Sequence, residues 1–183
     1  MTTTAPAATA SAAAAPAGVA ALQQALAAEN SAVYGYSVAG AHLTGKRRAA
    51  AVRNWAGHQN ARDTLTAMLA ARGAQPVAAA AVYQLPFSVH SAAAAVALVT
   101  LLEDRLSAAY LGLVGQDDPA LRAFGARAVR AAALRAATWR RGTLAFPGLD
   151  VPVPQAPGLA SQGSGSPAPT SQAHGKPTPS HPG

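Results

Sequence analysis

Four ionisable residues, Glu29, His58, Glu103 and Arg135, fall on stretches of this sequence that otherwise read as dry helix faces. At 100° per residue, Leu22, Leu26, Val33 and Tyr36 project within about 60° of Glu29. Val96, Val99, Leu106, Tyr110 and Val114 enclose Glu103 as closely. Trp55, Leu65 and Leu69 flank His58, with Arg62 one turn further along the same face. Leu121, Phe124, Ala128, Ala131 and Trp139 define an apolar arc with Arg135 near its centre. Tyr36 reads as packing and Tyr34 as lying off the core face. Gly40, on the arc of Glu29, is the expected point of close helix approach.

Charged side chains are seldom buried without partners, so four of them on inward faces imply a cluster. Two chemistries are open to it. In the first, Glu29, Arg135 and Glu103 form a buried ion-pair network with His58 hydrogen-bonded to it and Arg62 as a further cation within reach. In the second, Glu29, His58 and Glu103 are hard ligands for iron, manganese or zinc, completed by water and used in redox or metal-handling chemistry. Arg135 favours the first, because a permanent positive charge repels a metal cation. The stretch 119–141 around Arg135 also offers neither Glu nor His. The expectation is therefore no cofactor, no catalytic residue and a lean away from enzyme activity.

Four elements must position these residues. Apolar periodicity predicts helices at 18–43, 47–72, 92–114 and 119–141. Gly45 suits the end of the first, Gly73 that of the second and Gly115 that of the third. Ser91 suits an N-cap, and Asp118-Pro119 reads as N-cap followed by N1. Short links make helices 1 and 2 antiparallel, and likewise 3 and 4. The segment 74–91 is long enough to span about 55 Å, against about 37 Å for a 25-residue helix. It can run the length of the bundle and make helices 2 and 3 parallel. The expected fold is all-α, a ferritin-like four-helix bundle with one long crossover between helices 2 and 3. His58 and Glu103 then lie at similar depth, and Glu29 meets them from the opposite direction.

Composition sets the boundaries. One domain is expected in 183 residues. Residues 1–17 and 147–183 are rich in Pro, Ala, Ser and Gly and have little to bury, so disordered tails are expected around a bundle at 18–146. The C-terminal tail reads as a solvated linker, in which His174 and His181 are too isolated for a metal tract. The chain has no cysteine, which removes disulfides, thiolate metal sites and a Cys nucleophile. Its 50% hydrophobic content is largely alanine and holds no membrane span or secretory signal, so a cytoplasmic protein with no membrane partner is expected. The net charge of +7 invites a nucleic-acid reading. Twelve of its fourteen basic residues are arginine amid abundant alanine, the bias of a high-GC genome, and nucleic acid is disfavoured on that ground. A homo-oligomer is compatible with the pattern, and no other partner is specified.

Residues 22–36 (LQQALAAENSAVYGY), His58 with Arg62-Asp63, Tyr83-Gln-Leu-Pro-Phe87 and Leu101-Leu-Glu-Asp104 together resemble an uncharacterised group of bacterial ferritin-like proteins. The resemblance covers about residues 20–143, nearly all of the expected bundle. It implies descent from a superfamily that often holds two metal ions, with a Glu from each of two helices and Glu-x-x-His from each of the other two. Against that pattern Glu29 and Glu103 match the lone glutamates and His58 one histidine. Trp55 stands where the Glu before His58 belongs, and Arg135-Ala-Ala-Thr138 replaces the last motif. The resemblance thus implies a degenerate centre.

Overall fold

The computed structural model describes residues 18–141, which form four α-helices and, among the described residues, no strand. They are α1 (Val19–Ala41), α2 (Gly45–Ala70), α3 (Ala92–Val114) and α4 (Pro119–Arg140). The expected tails, and residues 142–146 of the expected domain, lie outside the described residues.

The caps follow the expected chemistry at α3 and α4. The Ser91 hydroxyl accepts from the Ala94 N–H, and the Asp118 carboxylate accepts from the Ala120 and Leu121 N–H groups, with Pro119 in the first turn. Each satisfies a donor that the helix itself leaves orphaned. The first turn-around differs from expectation. α1 ends at the His42 C-cap, whereas Gly45, at φ +53°, opens α2 and ends nothing. A left-handed glycine there lets the chain reverse within three residues.

Side-chain pairings fix the topology. Tyr36 meets Asn54 and Glu29 meets His58, so α1 and α2 are antiparallel. Tyr36 meets Glu103 and Tyr110 meets Glu29, which makes α1 and α3 antiparallel as well. Hence α2 and α3 are parallel, as the long link requires. The link runs along α1. Gln23 grips the backbone of Gln75 and Val77, Tyr83 stacks on Tyr34, and Val89 is buried against the cluster containing Leu43. Arg135 pairs with Glu103, and Phe124 lies edge-on to Tyr110, which sets α4 antiparallel to α3. The architecture is an all-α four-helix bundle.

Helix approach is closest where glycine permits it. A Cβ on Gly35 would fall 2.4 Å from Leu102 Cδ1, and one on Gly125 would fall 2.8 Å from Leu113 Cβ and 3.0 Å from the backbone of α3. Gly40, the expected point of approach, faces open space. Neighbouring helices touch in the order α2–α1–α3–α4, and no Cα of α2 comes within 8 Å of α4. The helical faces between those two carry Ala50, Gly57, Ala61, Ala128 and Ala131, which are too short to fill the gap, so a crevice remains.

Candidate functional site

The apolar core is divided in two. One cluster gathers Leu22, Leu26, Leu65, Leu69, Leu106 and Leu113, and the other gathers Ala39, Leu43, Leu98, Val99 and Trp139. Between them lies a polar layer contributed by all four helices. Glu29 is 1% exposed, His58 2% and Glu103 0%, burial that demands partners for every charge.

The partners are present. His58 Nδ1 lies 2.8 Å from Glu29 Oε2, and its Nε2 lies 3.1 Å from Glu103 Oε1. An imidazole flanked by a carboxylate at each nitrogen donates from both and is therefore the imidazolium. Burial alone would lower the His58 pKa, but the hydrogen bonds to Glu103 and Glu29 outweigh it and hold the group above its ordinary value. Arg135 Nε donates to Glu103 Oε1 at 2.8 Å. Burial would raise the Glu103 pKa, yet His58 and Arg135 together depress it. Two carboxylates face two cations, so the formal charge of the layer is zero.

Two tyrosines complete it by a reciprocal exchange. The Tyr36 hydroxyl donates to Glu103 Oε1 at 2.6 Å, and the Tyr110 hydroxyl donates to Glu29 Oε1 at 2.6 Å. Each tyrosine lies seven residues after the glutamate of its own helix, about 10.5 Å along the axis. In an antiparallel pair that displacement brings each to the glutamate of the other helix. Burial first, and then the carboxylate beside it, pushes each phenol far above its ordinary pKa, so both stay protonated as donors. Tyr36 Oη in turn accepts from Trp139 Nε1 at 2.9 Å and from Asn54 Nδ2 at 3.4 Å. Glu103 Oε1 thus takes three donors, while Glu103 Oε2 is buried with no hydrogen-bond partner among the described residues.

Of the five residues expected in the network, the structure brings together Glu29, His58, Glu103 and Arg135. Arg62 stands apart. Its Nε donates to Asp63 Oδ1, and its side chain is 33% exposed. Partly in water beside a carboxylate, the guanidinium avoids the desolvation that joining the layer would cost. Arg135 lies at the edge of the α4 core face and not at its centre, because Gly125, Ala132 and Ala136 are the residues that face inward. The tyrosine donors, read from sequence as packing, Trp139, read as an arc residue, and Asn54 were missed as members. The equal Glu-to-Tyr spacing in α1 and α3 was the available signal.

The donor set fits a metal ion poorly. Both nitrogens of His58 already face carboxylates, and Arg135 brings a fixed positive charge to Glu103, the carboxylate of the layer that has an unpartnered oxygen. Among the described residues no group of three or more His, Cys, Asp or Glu side chains is arranged to hold a metal ion. Nor is any described helix long and apolar enough to cross a membrane.

Residues 21–151 match the family described as Domain of unknown function (DUF4439). The fold is similar to the crystal structure of a conserved hypothetical protein, rv2844, from Mycobacterium tuberculosis, with 34% sequence identity and a TM-score of 0.65. That likeness covers 67% of this chain and 93% of the other. No curated protein matches the sequence. With a match spanning all four helices and the layer between them, the chain belongs to the DUF4439 family.

Proposed function

We propose that this protein is a ferritin-like bundle whose former metal centre has become a metal-free, charge-neutral network with no redox activity of its own. The long crossover along α1, which leaves α2 and α3 parallel, supports the ferritin-like assignment. The single observation that carries the rest is the double engagement of His58. A histidine donating to Glu29 and Glu103 at once has no lone pair to offer a metal, and Arg135 supplies the charge that a second cation would otherwise bring.

A metal-binding reading draws on the unpartnered Glu103 Oε2 and on a 260 Å3 recess that reaches Glu29, His58 and Arg135. There Glu29, His58 and Glu103 would hold iron, manganese or zinc, and His58 would have to give up one carboxylate. Elemental analysis of untagged protein purified without chelators, before and after incubation with each ion and desalting, separates the two. The network predicts far less than one ion per chain and an imidazolium signal for His58 by NMR at neutral pH. Near-stoichiometric metal, lost in His58→Ala or Glu103→Ala, would establish the metal-binding reading instead.

A further inference from the structure

The wider part of the α2–α4 crevice, on the far side of Arg135 from His58, has a volume of about 410 Å3, within the range of about 300–1,000 Å3 common for small-molecule sites. Its charge is one-sided. Lys46, Arg47, Arg53, Arg135 and Arg141 line it, and none of the acidic residues among those described does so. Elsewhere three of the acids outside the layer have cationic partners of their own, while the exposed Asp117 makes no salt bridge among the described residues. Asp63 pairs with Arg62, Asp104 with Arg140 and Asp118 with Arg72. Arg135 is answered by Glu103, whereas Lys46, Arg47 and Arg53 make no salt bridge among the described residues. Cations gathered in a concavity with no counter-charge concentrate anions.

The walls between these cations are apolar. Ala50 of α2 and Leu134 and Trp139 of α4 line the crevice, and Leu134 is 56% exposed although it stands beside buried core. Such a floor gains from covering by an apolar group, which water and simple inorganic anions cannot supply. Two copies of this face would set like charges against each other, which disfavours a second copy of the chain as the occupant.

We propose that this part of the crevice binds a small organic anion, its acidic group held by Lys46, Arg47 and Arg53 and its apolar body laid against Ala50, Leu134 and Trp139. The site shares Arg135, Trp139 and Asn54 with the network but none of Glu29, His58 and Glu103, and it stands whether or not those three hold a metal.

The probe is 8-anilinonaphthalene-1-sulfonate, an aromatic sulfonate of the required chemistry, titrated into the full chain by calorimetry and fluorescence. A Trp55→Phe background leaves Trp139 as the only tryptophan, so quenching of its emission reports occupancy of this site. One saturable site per chain is expected. Arg47→Glu with Arg53→Glu should weaken it on the order of tenfold, since each exposed pair is worth up to a few-fold and reversal counts twice. Ala50→Phe, which fills the floor without changing charge, should abolish it. Arg105→Glu, an exposed charge on α3, should leave it unchanged, with each variant shown to melt as the parent does. The uncharged dye Nile red should not compete. The proposal is overturned by absence of saturable binding, by the charge-reversed and Ala50→Phe proteins binding like the parent, by equal loss in Arg105→Glu, or by effective competition from Nile red.

Discussion

Replacing Arg135 with methionine removes one cation from a layer whose charge is otherwise balanced. Glu29, Glu103 and His58 would then carry a net charge of −1 between two apolar clusters. Breaking a buried ion pair by deleting one partner typically costs about 3–5 kcal/mol. Two features place this case below that range. The Arg135 side chain is 29% exposed against 0% for Glu103, and Glu103 Oε1 keeps its bonds from Tyr36 and His58. A loss of about 2–3 kcal/mol is expected, which for a domain of this size lowers the Tm by roughly 6–15 °C. Calorimetric and circular-dichroism melts at pH 6 measure it. Adding Glu29→Gln should return about 1 kcal/mol by restoring neutrality. A glutamine at 29 can accept from His58 Nδ1 and donate to the Tyr110 hydroxyl oxygen, which keeps both contacts but takes the acceptor from the Tyr110 O–H, so the recovery is partial. If Arg135→Met costs less than about 0.5 kcal/mol, or the double variant falls below Arg135→Met alone, charge balance is not what holds the layer. A metal-holding centre predicts the opposite sign, with Arg135→Met raising the Tm in the presence of manganese.

Stability should form a plateau in pH. Glu103, depressed in the fold, contributes fully above its unfolded value of 4.5 and loses that contribution as pH falls through its folded value. His58, raised in the fold, contributes fully below its unfolded value of 6.5 and loses that contribution as pH rises through its folded value. Urea unfolding across pH should therefore show greatest stability between these unfolded values, with the alkaline decline absent in His58→Gln. Gly125→Ala should cost about 2–4 kcal/mol by urea unfolding, because the added methyl meets α3 backbone that cannot turn aside, whereas Gly57→Ala, with open space around it, should gain about 0.5–1 kcal/mol from helix propensity. Tyr110→Phe should cost about 1–3 kcal/mol in the same assay by stranding Glu29 Oε1.

The helices and their connections were legible because punctuation and periodicity agree. Ser91, Asp118 and Pro119 cap where their chemistry says they should, and α3 matches its expected span of 92–114. The inward placement of Glu29, His58 and Glu103 followed from projection at 100° per residue. What escaped was anything set by the spacing between helices. Gly40 and Gly35 are alike in sequence, and only the position of Leu102 makes the second the point of contact. Arg62 lies one turn from His58 and looked equally placed, yet water and Asp63 lie closer to hand. Periodicity treats the tyrosines as bulk, so their hydroxyls emerge as members only once the antiparallel offset of α1 and α3 is known.

The contact order α2–α1–α3–α4 is a row and not a closed ring, and it ranks the helices by how readily each can leave. α2 has four buried residues among its 26, fewer than any other helix in proportion; its backbone approaches α1 alone, and it reaches α3 through side chains such as His58. It is the natural unit of partial opening, released without separating the backbones of α1, α3 and α4, at the cost of the His58–Glu103 contact. Amide exchange should then show α2 trading hydrogen for deuterium ahead of the other three, with the middle turn around His58 the slowest part of it. Every such excursion lifts the imidazolium out of the space between its two carboxylates and brings it to water. The charge layer is thus the latch on the least secured helix, and the pH at which the latch weakens sets how often the crevice widens.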